Sequence, residues 1–126
     1  MGSSTARELI KHDEVSQIIL ADKKVDISKV HESVQTSKKI STLVLDVAEL
    51  ETLVKTIKGN DVVINDTAPY SRFGISTVKA AIEAGVSYID ICDDCRVTKK
   101  LFELDEAAKK ANVSICTGFG GSPGIT

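Results

Sequence analysis

The sequence has no tryptophan, one methionine, two prolines and three cysteines in 126 residues, and aromatic side chains make up 4% of it. So few aromatics leave little for the bases of single-stranded nucleic acid to stack on. Nor does one sign of charge dominate. Sixteen Lys plus Arg against 18 Asp plus Glu leave a formal net charge of −2, with the lysines scattered among acids, so no basic face supports nucleic-acid binding. No stretch approaches the roughly 18 consecutive apolar residues a membrane span needs, and the opening Met1-Gly2-Ser3-Ser4 has no apolar core of the signal-peptide kind. Cys92, Cys95 and Cys116 are too few and too clustered for the disulfide framework of a small secreted domain. These absences predict a cytoplasmic protein with reduced cysteines and with neither nucleic acid nor membrane among its partners.

What is present is an ordinary globular composition, 42% apolar and 27% charged, enough to bury a core. The apolar residues switch repeatedly between two periods. Helical spacing is read at 3–12, after Asp26 as an N-cap (Ile27, Val30, Val34), at 49–58, at 75–84, and at 98–111, the longest, with Leu101, Leu104, Ala107 and Ala108 inward. Between them, short apolar runs at 17–22, 40–46, 61–65, 86–91 and 113–116 read as strands buried on both faces. Gly59 and Gly85 close helices. Five strands alternating with five helices, with no internal repeat or long linker, predict a parallel α/β sheet with helices on both faces and right-handed crossovers.

In such sheets ligands bind beyond the carboxyl ends of the strands. Those ends carry Asp22, Asp46, the segment 65–70, the segment 92–95 and the segment 118–126, an unusually polar and glycine-containing set. Asp22 follows Gly2 by about the twenty residues that separate a phosphate-binding glycine from the acid that takes the adenosine ribose hydroxyls. Without a nucleotide, Gly2 is a tag remnant and Asp22 simply ends a strand. Asp46 is suited to the adenine amino group, or to opening a turn. The four glycines between 118 and 124 suit close approach to a cofactor or positive φ; they also suit a linker.

Two other features point to no chemistry. Cys92-Asp-Asp-Cys95 has the spacing of half a zinc site, but Cys116, His12 and His31 do not readily complete four ligands. The adjacent aspartates also raise thiol pKa values, against the needs of a reactive thiolate. The pairs Lys38-Lys39 and Lys109-Lys110 read as solvated surface.

Taken in order, Asn-Asp-Val-Val-Ile-Asn-Asp-Thr-Ala-Pro-Tyr at 60–70, Val-Lys-Ala-Ala-Ile-Glu-Ala-Gly at 78–85, Tyr-Ile-Asp-Ile-Cys-Asp-Asp at 88–94, Glu-Leu-Asp-Glu-Ala-Ala-Lys at 103–109 and the glycine-rich 118–126 resemble the saccharopine dehydrogenase-like family. Its relatives include carboxynorspermidine dehydrogenases. The resemblance implies a Rossmann-type doubly wound sheet for 1–126, lacking its first strand, with Gly2 as the last glycine of a Gly-x-Gly-x-x-Gly loop and a C-terminal substrate and dimerisation domain absent. It implies an NAD(P)-dependent oxidoreductase that, when complete, acts as a homodimer. Such an enzyme moves hydride between nicotinamide and the imine or secondary amine of an amino-acid-derived substrate. The chain as it stands is then expected to bind NADH weakly or undetectably and to have no activity of its own.

The implied cofactor residues are Gly2, Asp22, Asp46, Asn65, Thr67, Ala68, Pro69, Gly118 and Gly120. Asp22 would take the ribose diol and repel a 2′-phosphate, favouring NAD, while Lys23 and Lys24 leave room for NADP. The segment Thr67-Ala-Pro-Tyr70 would run along the nicotinamide half, with Tyr70 as proton donor or substrate-orienting hydroxyl. Asp93 and Ser122 would line the same crevice; the family often has Asp where this chain has Ser122. A nucleotide-sensing or protein-interaction module on the same fold, without catalysis, is the alternative.

Overall fold

The computed structural model describes residues 1–120. The chain divides into two units, Met1–Asp46 and the chain from Val47 on.

In the first unit, helix α1 (Gly2–Leu9) precedes strand β1 (Ile18–Asp22), a 3-10 turn (Ile27–Lys29), the short helix α2 (Glu32–Gln35) and strand β2 (Ile40–Val44). The two strands are parallel, running in register from Ile18 opposite Ile40 to Asp22 opposite Val44. The carbonyls that α1 leaves at its C-terminal end are met from a distance. Lys39 Nζ donates to Ile10 O (3.2 Å) and His12 O (2.7 Å), a cation placed at the negative end of the helix. Lys39 is thus half-buried rather than plain solvated surface.

The one helix expected after Asp26 is broken. Asp26 does cap, accepting from Ser28 N and Ser28 Oγ, but that local bonding closes a 3-10 turn. Val30 is then extended, and His31 Nδ1 starts α2 afresh by accepting from Ser33 N. The strands also depart from the doubly buried reading. α1 packs on β1 and α2, burying Ala6 and Val34, while Ile19 (40%), Leu43 (39%) and Val44 (71%) stay exposed.

The second unit runs α3 (Leu50–Ile57), β3 (Val62–Asn65), α4 (Tyr70–Ala84), β4 (Ser87–Asp90), α5 (Cys95–Phe102), α6 (Asp105–Ala111) and β5 (Ile115–Cys116). Its sheet is parallel, in the order β3-β4-β5, with Asn65 opposite Asp90 and Tyr88 opposite Ile115. Val78, Ala81, Tyr88, Cys92, Val97 and Leu101 form its core, with Val63, Tyr70 and Ile75 packed against them.

Helix ends in this unit follow local chemistry. Gly85, at φ +70°, ends α4 in a Schellman arrangement: its N–H bonds Ile82 O, and Val86 N–H bonds Ala81 O. Asn112, at φ +55°, repeats it for α6. Two helix bounds differ from expectation. α4 begins at Tyr70 rather than near Ile75, straight after the cis Ala68–Pro69 peptide, and at 15 residues it is longer than the helix expected at 98–111. Gly74 lies inside it because α5 passes close by: a Cβ at this position would sit 3.2 Å from Val97 Cγ1. The stretch 98–111 is two helices. Asp94 caps α5 by accepting from Arg96 N (2.9 Å), and Asp105 and Glu106 supply acids to the first turn of α6. The kink exposes Ala107, which was expected to point inward.

Candidate functional site

In the second unit the strand ends are joined by a buried polar network, and the strand pattern explains why. Tyr88 and Asp90 are two residues apart on β4, so both project from one face, and both are wholly buried. Asn65 is the register partner of Asp90 on β3 and is buried too. Asn65 Nδ2 donates to the Tyr88 hydroxyl (2.9 Å), which donates to Asp90 Oδ2 (2.7 Å). Asp90 Oδ1 accepts from Cys92 N (3.0 Å), Thr117 Oγ1 (2.7 Å) and Gly118 N (3.1 Å), and the Asp90 carbonyl accepts from Phe119 N (2.9 Å). On the β3 side, Asn65 Oδ1 accepts from Thr67 N (3.0 Å) and Asn65 O accepts from the Tyr70 hydroxyl (2.7 Å). Loops after all three strands are therefore pinned to one another. Among the described residues no buried side-chain nitrogen or oxygen lacks a partner.

The environment shifts the titrating groups in one direction. Burial pushes the Tyr70 phenol up to about 12, against the Ile91 backbone amide and with nearby Asp90 and Asp66 adding. Burial likewise raises Tyr88 and the Cys92 thiol, the latter opposed by its hydrogen bond to the Asp94 backbone and reinforced by Asp90. The Tyr70 hydroxyl, expected as proton donor or substrate-orienting group, donates to Asn65 O within the network.

The expected site residues fall in several places. Asn65, Thr67, Tyr70 and Gly118 come together in the network, Gly118 at φ +81°. Ala68 and Pro69 are exposed beside it, Asp93 is an exposed loop residue, and Gly120 is the last described residue. Ser122 lies outside the described residues. In the first unit, Gly2 opens α1, whose first turn holds no acid. Asp22 ends β1 exposed, its Oδ1 accepting from Lys24 N (3.0 Å), and Asp46 holds the Lys23 ammonium at 2.7 Å. Cys92 is buried and Cys95 exposed, and no metal-holding group of His, Cys, Asp or Glu occurs among the described residues.

Sequence reasoning passed over Tyr88, Asp90 and Thr117 as site residues. The available signal was Tyr-x-Asp inside an otherwise apolar strand, since polar side chains at period two on a buried strand need partners. A groove of about 360 Å³ lined by Leu101, Phe102, Leu104, Ala108 and Ile115 lies along β5 and shares Thr117 with the network.

Comparison with known proteins agrees with the fold and names the family. The saccharopine dehydrogenase NADP binding domain matches residues 1–116. The chain belongs to that family. Its fold is similar to that of an apo, histidine-tagged saccharopine dehydrogenase (L-Glu forming) from Saccharomyces cerevisiae, with a TM-score of 0.78 over 98% of this chain and 24% identity. A "Lipid droplet localized protein" from Caenorhabditis elegans is 32% identical over 92 residues, 70% of this chain. The chain spans 26% of the yeast chain and 22% of the nematode one. The saccharopine dehydrogenase NADP-binding domain therefore has, in this chain, a mixed α/β Rossmann-like fold with parallel sheets. None of its described helices is long and apolar enough to cross a membrane.

Proposed function

We propose that this chain is the nicotinamide-dinucleotide-binding part of an oxidoreductase acting on an imine or secondary amine of a small amino-acid-derived substrate. The family match over residues 1–116 carries the reading, and the residues present suit the cofactor chemically. In the first unit, Asp22 keeps one carboxylate oxygen free of the Lys24 amide for a ribose diol, and the acid-free first turn of α1 offers backbone N–H groups to phosphate. In the second unit, Thr67, Ala68, Pro69 and Gly118 form the rim along which a nicotinamide ring would lie, with Asn65 and Tyr70 holding that rim in shape. When bound, nicotinamide supplies or takes the hydride. The chain's own residues bind and orient, and Asp93 and Ser122 are the remaining candidates to face substrate. The intact protein is read as a homodimer on the family resemblance and as cytoplasmic on the composition of the chain.

NAD is the preferred form in this proposal, although the family is described by NADP. The Asp22 carboxylate repels a 2′-phosphate, and the neighbouring Lys23 ammonium is held by Asp46. Amide chemical shifts followed during titration with NAD and with NADP, into the millimolar range, test both points. The expected result is movement at Asp22, Thr67 and Gly118, at lower concentrations of NAD than of NADP, with Asp22→Ala narrowing the gap. No movement at these amides would refute the binding reading. A lower NADP midpoint would refute the preference.

A further inference from the structure

We propose that Asp90 is a positioning residue for dinucleotide binding: one buried carboxylate, touching no ligand itself, sets the loops after β3, β4 and β5 in the geometry the cofactor meets. The inference rests on the dinucleotide reading above and adds a residue that reading does not contain.

Asp90 is wholly buried, and no cation pairs with it among the described residues. Its charge is met by aimed donors. Oδ1 takes three, two of them backbone N–H groups that can only donate, and Oδ2 takes the Tyr88 hydroxyl. Bonds to a buried carboxylate are among the stronger ones a protein makes, because low surrounding polarity strengthens each. These reach far along the chain: Thr117 and Gly118 lie 27 and 28 residues from Asp90. Through Tyr88 and Asn65 the same carboxylate is linked to the Thr67 amide.

A second consequence concerns what the glycine loop can offer. The N–H of Gly118 goes to Asp90 Oδ1 and that of Phe119 to Asp90 O. With both amides turned inward, at a Gly118 of φ +81° that has no Cβ, the loop does not offer an anion-binding row of N–H groups. Asp90 thereby assigns this loop to the nicotinamide end of a dinucleotide, whose ring is cationic or neutral, rather than to its phosphates.

The test uses Thr117, at the accessible end of the network, in the chain as it stands. Thr117→Val keeps the shape and removes one donor to Asp90, while Thr117→Ser keeps the donor. The expected outcome is a Kd for the dinucleotide about tenfold higher in Thr117→Val, the result of a loop that holds the binding geometry about a tenth of the time, and near wild type in Thr117→Ser. Amide exchange at Gly118 and Phe119 should quicken by a similar factor in Thr117→Val alone, with interior amides of α4 unchanged. Equal binding by the two variants, or faster exchange spread through α4 and β4, would overturn the positioning role. Absence of binding by the wild-type chain overturns the dinucleotide reading instead, and is distinct from wild-type binding that Thr117→Val leaves intact.

Discussion

Replacing Tyr88 by Phe isolates the worth of the buried network, because it removes one oxygen and keeps the ring. The ring is wholly buried in the core of the second unit, so packing is preserved. The lost oxygen was accepting from Asn65 Nδ2 and donating to Asp90 Oδ2. Loss of the bond to the carboxylate costs about 1.5–3 kcal/mol, and leaving the buried Asn65 amide without its acceptor adds about 1–3 kcal/mol. The removed hydroxyl no longer has to be taken out of water, which returns about 1 kcal/mol. The net expectation is a destabilisation of about 1.5–5 kcal/mol, a large share of the roughly 5–15 kcal/mol that holds a domain together. Urea unfolding followed by circular dichroism reads it directly. With a slope of about 1–3 kcal/mol per molar urea, the midpoint should fall by about 0.5 M or more at unchanged slope. Tyr70→Phe is the comparison: it loses a single bond to a backbone oxygen at the half-buried rim and should cost about 1 kcal/mol. If the two variants unfold at the same urea concentration, the network is not the structural centre described here.

Three further expectations follow from the same structure. The Tyr70 phenol, raised by burial from 10.0 to about 12, ionises in the unfolded chain first; the stability it contributes is whole below pH 10 and is lost as pH rises through about 12. Thermal unfolding across that window should steepen in the wild type and flatten in Tyr70→Phe, and parallel curves would contradict it. Gly74→Ala gains about 1 kcal/mol of helix propensity but presses on Val97 Cγ1 at 3.2 Å, so it should destabilise the wild type and stabilise a Val97→Ala background; additive effects of the two changes would refute the close contact. Toward a thiol reagent, exposed Cys95 should react well before buried Cys92, whose thiol burial holds above its ordinary range, and equal rates in the native protein would refute that placement.

Local signals in the chain carried much of the architecture. All five strands lie within the predicted runs, because short, largely apolar segments between polar, charged or glycine-bearing stretches leave few alternatives. Gly59 and Gly85 were legible as helix ends since a left-handed residue there is nearly always glycine. The start of α4 was not: Gly74 resembles a helix breaker until α5 is known to cross beside it. Nor was the partial exposure of β1 and β2, since burial is set by what covers a sheet and not by the strand's own residues. The site divides in the same way. Asn65 and Gly118 could be picked for the network because strand ends are where ligands gather. Tyr88, Asp90 and Thr117 could not, because their joint role depends on a register that puts Asn65 opposite Asp90 and on a strand arriving 27 residues later.

The shared carboxylate also limits how this fold can be altered. Loops at strand ends are usually treated as interchangeable parts, traded between relatives to change what a scaffold binds. Here an exchanged β5 loop must bring a hydroxyl at position 117 and a free N–H on a left-handed residue at 118, and an exchanged β3 loop must keep an amide at 65. A graft that omits the hydroxyl or the N–H strips a donor from a buried carboxylate, and one that omits the amide leaves the Tyr88 hydroxyl without the donor it accepts from. The three loops are inherited, or redesigned, together.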